Sequence, residues 1–190
     1  MIDTSSSIGF SGFQLVRELA EDITTGFKVA SPESLVGLIT FDDFARLQFN
    51  ISRHTELTTL LPAINPGIPY NRGFWTNTGS ALNFLLSGGR QGGFLGLRNE
   101  TSNVAIVITD GFSNSFSFLQ SAANSLHAAN IFDVYAVGIG GNSFTELQLI
   151  ANDPSFVFST SFLTSFTSQQ LVEDVLEQLC TSKCFNNNTV

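Results

Sequence analysis

Apolar residues recur at three- and four-residue steps from Ile8 to Lys28 (Phe10, Phe13, Leu15, Val16, Leu19, Ile23 and Phe27), with Arg17, Glu18, Glu21 and Asp22 between them. That period predicts an amphipathic helix, with Ser7 as its N-cap and Gly26 loosening its end. Leu35 to Phe41 is a nearly continuous apolar run, the pattern of a strand buried on both faces. Asp42-Asp43 then makes a turn, and Phe44 to Ile51 alternates apolar and polar positions, which predicts a half-exposed edge strand closing a hairpin. Residues 55–61 suit a short helix, and the Pro and Gly content of Asn65 to Pro69 marks a loop. The polar cluster from Trp75 to Ser80 runs into a helical pattern at Ala81, Leu82, Leu85 and Leu86 that ends at Gly88-Gly89, and 90–101 reads as a loop or short turn.

Val104 to Thr109 is the strongest buried-strand signal in the chain, and it stops at Asp110-Gly111. Phe118 to Ala129 reads as a helix, Val134 to Ile139 as a buried strand, Phe144 to Ala151 as a short helix and Phe156 to Phe158 as a short strand. Phe166 to Leu179 forms the last amphipathic helix. Strands alternating with helices throughout predict an α/β domain whose mostly parallel sheet is covered on both faces. The domain is expected to occupy residues 1–180, with 181–190 as a tail or linker. Because Met1-Ile2 leaves no room for a longer strand before Asp3, the first strand is expected to be truncated and the natural start to lie upstream.

Composition narrows the partners. Eight Lys and Arg against sixteen Asp and Glu give a formal net charge of -8, which argues against nucleic acid or an anionic membrane surface. No apolar run reaches the roughly 18 residues that span a bilayer, so no membrane insertion is expected. The 19 Phe suggest an aromatic core. Cys180 and Cys184 are disulfide candidates, either with each other or, for Cys180, with a cysteine upstream. Three glycosylation acceptors, at Asn50, Asn99 and Asn187, together with those cysteines favour an extracellular, secreted setting.

Chemistry enters at the ends of the predicted strands. Asp3 and Asp110 each terminate one, and in an open parallel sheet the loops after the strands form the ligand-binding edge. Ser5 and Ser7 follow Asp3 at alternate positions, and Thr76 leads into a helix at the same edge. Asp3, Ser5, Ser7, Thr76 and Asp110 thus offer two carboxylates and three hydroxyls, without His or Cys. Oxygen-only ligands with two formal charges suit Mg²⁺ or Mn²⁺ and disfavour zinc. A cation so under-neutralised would seek a further anionic oxygen, naturally a partner's carboxylate.

Asp-x-Ser-x-Ser at residues 3–7, Thr-Asn-Thr-Gly-x-Ala-Leu at 76–82 and Ile-Val-Ile-Thr-Asp-Gly at 106–111 together resemble the von Willebrand factor type A domain, the I domain of integrins. The resemblance extends to Val36–Phe41 and Val134–Gly140 as second and fifth strands. It implies a doubly wound six-stranded sheet of order 3-2-1-4-5-6 with strand 3 antiparallel, and a metal-ion-dependent adhesion site. Under it, Ser5 and Ser7 would bind the ion directly, Asp3 and Asp110 mainly through water, and Thr76 by either route. The implied function is capture of a carboxylate on a matrix protein such as collagen. The alternative is a structural matrix or assembly role in which the ion only stabilises the loops. Phe74-Trp75 is bulkier than the small residues such domains often carry there, so narrowed access to the ion is expected.

Enzymatic readings are weak. Gly138-x-Gly140-Gly141 lacks the third glycine of a dinucleotide fingerprint, and no phosphate-loop motif occurs. His54 and His127 stand outside any catalytic pattern, so the serines lack a base. No Lys or Arg flanks Asp3, Thr76 or Asp110, as phosphoryl transfer would need.

Overall fold

The computed structural model describes residues 1–27, 29, 33–98, 101–110, 112–140, 144–160 and 165–184, the side chains of 165–168 and 180–184 excepted. In chain order the elements are β1 (Ile2–Asp3), α1 (Gly9–Thr25), β2 (Leu38–Phe41), β3 (Ala45–Phe49), α2 (Leu57–Ile64), α3 (Thr78–Gly89) and β4 (Val104–Thr109). Then follow α4 (Phe116–Ala129), β5 (Asp133–Ile139), α5 (Phe144–Ile150), β6 (Val157–Thr160) and α6 (Ser165–Cys184). The sheet order is β3-β2-β1-β4-β5-β6. All neighbours pair in parallel except β2 and β3, which form the antiparallel hairpin. This is the doubly wound arrangement expected, with β1 only two residues long.

Strand alternation divides the interior in two. Tyr135 and Val137 of β5 join Ile2 and Ile108 under α1 and α6, against Phe13, Val16, Leu19, Leu171 and Val175. Val134 and Ala136 point the other way and join Ile39, Phe41 and Val107 under α3, α4 and α5, against Leu82, Leu119 and Leu147. Successive strand residues face opposite sides, so both sets can be apolar only where helices cover both faces. Gly79 lets the start of α3 lie against α4, since a Cβ there would stand 2.8 Å from a ring carbon of Phe118.

Several boundaries differ from expectation. β2 begins at Leu38 rather than Leu35, because β1 pairs it only from Thr40 and an irregularity falls between Leu38 and Ile39 on the β3 side. The expected helix at 55–61 runs from Leu57 to Ile64 and contains Pro62, and the sixth strand lies at Val157–Thr160, after a 3-10 turn at Pro154–Phe156. Ser7 is no N-cap: a 3-10 turn at Ser6–Ile8 precedes α1, whose cap is Ile8 without a side-chain bond. α6 passes residue 180 and takes in both cysteines, whose side chains are not among those described; Asn99 and Asn187 also fall outside the described residues. Asn50 is half-buried, its side-chain oxygen accepting from Ser52 Oγ at 3.0 Å.

Within the second core, Leu82 is fully buried. Leu82→Ala is expected to cost about 2–5 kcal/mol through lost burial and the cavity it leaves, read as a shift of the urea midpoint at unchanged slope.

Candidate metal centre

Strand register sets the height of the site. Ile2 lies opposite Thr40 on one side and Ile108 on the other, so Asp3 comes level with Phe41 and Thr109, and Asp42 and Asp110 stand one step above. The next connection from β1 leads to β2, and β4 returns on β1's other side, so the crevice over β1 and β4 is the topological switch of the sheet.

Asp3 has no exposed surface. Its Oδ1 accepts the Ser5 N–H at 2.9 Å and its Oδ2 accepts the Thr109 hydroxyl at 2.7 Å. Ser5 and Ser7 hydroxyls lie 2.9 Å apart, and Ser7 donates onward to Asp110 Oδ1 at 3.1 Å. Four of the five expected residues therefore form one connected set of oxygens. Thr76 does not bond to them directly, but it lines the same cavity of about 320 Å³ as Ser7 and Asp110. Its N–H bonds the Asn114 side chain, and the Asn114 N–H bonds back to Thr76 O at 3.1 Å, tying the α3 entry to the loop after β4.

Burial raises the Asp3 carboxyl above its ordinary range, countered by the bonds from Thr109 and Ser5 and reinforced by the charge of Asp42. Asp110 is pushed up to about 6, first by burial and then by the charge of Asp3, against the Ser7 hydroxyl. Like charges face one another here, and among the described residues neither carboxylate meets a Lys or Arg. Two carboxylates and adjacent hydroxyls lacking a counter-charge are a donor set that fits a hard divalent cation. No cluster of three His, Cys, Asp or Glu side chains occurs among the described residues, so the set depends on its hydroxyls.

The supporting residues were not singled out by the sequence pattern. Asp42, which reads as a turn residue, is buried and accepts from Thr4 Oγ1 at 2.9 Å and Arg46 Nη1 at 2.7 Å. Asp43 accepts the Trp75 N–H at 2.7 Å. Gly73 O accepts the Ser6 N–H at 2.8 Å, and the Arg72 N–H reaches Thr4 O at 3.0 Å, so the 70–76 loop is laced to the Asp3–Ser7 turn. Glu146 accepts the Ser113 N–H at 2.6 Å and steadies the loop after Asp110. The available signal was the acid following each strand: Asp42 ends β2 as Asp3 and Asp110 end β1 and β4.

The family model of the von Willebrand factor type A domain matches residues 1–177. The chain belongs to the von Willebrand factor type A domain family. Among curated proteins, this type A domain is 29% identical over 182 residues to the collagen alpha-1(XII) chain of Notophthalmus viridescens, covering 96% of this chain and 19% of that one. It is 30% identical over 191 residues to the mouse collagen alpha-4(VI) chain, covering 96% of this chain and 8% of that one. The domain thus spans under a quarter of either collagen chain. Among solved structures, proximal thread matrix protein 1 of the mussel byssus, in a form with a zinc-occupied MIDAS motif, has a TM-score of 0.79 at 28% identity, covering 94% of this chain and 44% of that one.

Of the Phe74-Trp75 pair expected to narrow access, only Phe74 lines the cavity beside Ser7, Thr76 and Asp110; both side chains are exposed, and the Trp75 backbone is held to Asp43. The expected aromatic core is likewise only half the picture. Of the nine large hydrophobic side chains exposed among the described residues, all but Phe94 belong to loops or first helical turns at the strands' C-terminal edge.

Two outcomes follow for the type A domain. A Cβ on Gly73 would lie 2.5 Å from Asp42 Cβ, so Gly73→Ala is expected to loosen the 70–76 loop and cost about 1–3 kcal/mol of stability in thermal or urea unfolding. For Asp110, a folded-state carboxyl raised to about 6 favours the protonated form, so its contribution is full below the ordinary value of 3.8 and lost as pH rises through about 6. In EDTA the melting temperature is expected to fall across that window, and Asp110→Asn to flatten the fall.

Proposed function

We propose that this domain is an extracellular adhesion module that captures a carboxylate of a matrix protein, collagen being the first candidate, through a divalent cation. Asp3, Ser5, Ser7, Thr76 and Asp110 would hold Mg²⁺ or Mn²⁺. Ser5 and Ser7 would bind it directly, Asp3 and Asp110 mainly through water, and Thr76 by either route. Bound there, the ion would supply a Lewis-acidic site for an anionic oxygen. The observation that carries this reading is the linked set Ser5–Ser7–Asp110 over a buried Asp3, with no basic side chain in contact among the described residues.

The protein's own residues do the rest. Thr109 and the Ser5 N–H use up one acceptor direction on each Asp3 oxygen and fix that carboxylate. Ser7 bridges the two loops that carry Ser5 and Asp110. Neutral hydroxyls leave a cation short of negative charge, which favours a carboxylate from outside. No reacting nucleophile is needed, and we assign no catalytic role.

The extracellular setting is supported by relatives that are collagen chains and by a structural neighbour that is a byssal thread matrix protein. No described helix is long and apolar enough to cross a membrane. The glycosylation acceptors Asn50, Asn99 and Asn187 and the cysteines Cys180 and Cys184 are in keeping with it. We take residues 1–180 as the domain and 181–190 as a tail or linker whose first four residues continue α6. The byssal neighbour also favours a second reading, in which the domain is a structural matrix part and the ion only stiffens the loops.

Capture of the protein on immobilised collagen separates the two. EDTA and Asp110→Ala are each expected to abolish capture, with the circular dichroism spectrum unchanged and Mg²⁺ or Mn²⁺ restoring the wild type better than zinc. Retained capture under both treatments sinks the adhesion reading. If EDTA lowers only the melting temperature, the structural reading holds instead.

A further inference from the structure

The exposed aromatic side chains are not scattered. Phe74 is 88% exposed and Phe112 62%, and both line the cavity that contains Ser7, Thr76 and Asp110. Trp75, 59% exposed, follows Phe74 on the same loop. Phe44 comes from the turn after β2, and Phe116 and Phe144 from the first turns of α4 and α5. Four separate segments, with Phe112 and Phe116 sharing the β4–α4 connection, thus bring large apolar side chains to one edge of one sheet, where single exposed apolar residues would otherwise need no explanation.

The loops bearing them are fastened. The Trp75 N–H is bound to Asp43, Thr76 and Asn114 bond each other in both directions, and the Ser113 N–H is bound to Glu146. Ring exposure is therefore a property of anchored backbone, and binding there would order little further chain. Charge limits what can cover these rings. Asp43 and Asp110 share the edge with Arg46, which lies over the Phe44 ring and is paired with Asp42, and with the exposed Arg72. These two cations against a net charge of -8 make a poor match for an anionic lipid surface, where interfacial segments use many Lys and Arg. A protein segment that is apolar and brings one acid to the ion meets both demands.

We infer that the aromatic rim and the metal centre form one binding surface, which takes an exposed, extended segment of a partner protein in which a single acidic side chain is flanked by apolar residues. This rests on the carboxylate-capture reading and adds its specificity: the ion selects the acid, and Phe74 and Phe112 select its neighbours. An acid in a polar context would meet the ion but leave both rings in water.

Two synthetic peptides test it, each with one Glu, flanked by Phe and Leu in one and by Ser and Gly in the other, measured by fluorescence anisotropy in saturating Mg²⁺. The apolar-flanked peptide is expected to bind the wild type at least about tenfold more tightly, the weight of one buried aromatic contact. The Phe74→Ser/Phe112→Ser double variant, whose exposed positions leave the fold intact by melting temperature, is expected to lose that preference. Equal, EDTA-sensitive binding of both peptides overturns the aromatic inference and leaves carboxylate capture standing. Binding of both that EDTA does not disturb overturns the two together. A rim that instead attaches to phosphatidylcholine–phosphatidylserine vesicles, or joins two copies of the chain in light scattering, and shows no peptide preference, overturns the partner assigned here.

Discussion

A buried carboxylate that meets no basic side chain among the described residues governs the C-terminal edge of this sheet. Asp3 is enclosed completely, and its bonds to the Ser5 N–H and the Thr109 hydroxyl are neutral ones. Hydrogen bonds alone offset only part of the desolvation of a charge, which is why its proton is held more tightly than usual. Asp110, close enough for its own proton affinity to feel Asp3, adds to the same imbalance. The strand register that brings the two together comes from apolar packing on both faces of β1 and β4, so the core enforces a local electrostatic cost that the core itself cannot relieve.

The loops answer this constraint by rigidity. Thr4, one residue after Asp3, donates to Asp42, and Gly73 passes so close to Asp42 that no side chain fits between them. The 70–76 segment is pinned from both sides, to the Ser6 N–H by Gly73 O and to Asp43 by the Trp75 N–H. Acids that look like ordinary turn residues in sequence are therefore the brackets of the site. Their hydrogen bonds leave Ser7, Thr76 and Asp110 facing one shared cavity.

The sequence pattern made the layered fold legible because burial on both faces leaves a continuous apolar run. β4 matches its expected bounds residue for residue, with β1 and β5 on either side of it. The apolar run overstates β2 by three residues, since apolar character at Leu35 to Gly37 says nothing about where pairing with β1 begins. Position alone suits Ser7 to capping α1, but a 3-10 turn replaces the cap and the Ser7 hydroxyl goes to Asp110. Phe10 fits the helical stripe by spacing yet is exposed, because the first turn of α1 stands beyond the end of β1, where there is no sheet to cover it. Hydrophobicity marks what can be buried, and topology decides what is.

That last distinction joins the two halves of the edge. Aromatic rings around a cluster of oxygens displace water once a partner covers them, and the fall in local dielectric strengthens each charge interaction beneath. The same fall makes Asp3 and Asp110 harder to keep ionised unless positive charge stands between them. In the proposed complex rim and carboxylates would be coupled: the better a partner seals Phe74 and Phe112 from water, the more the two acids beneath would favour a bound cation, and the more that cation would gain from the partner's own carboxylate. Under the proposed binding mode, specificity for apolar flanks and affinity for an acid would be consequences of one desolvation step, in which the most exposed rings and the least compensated charges act together.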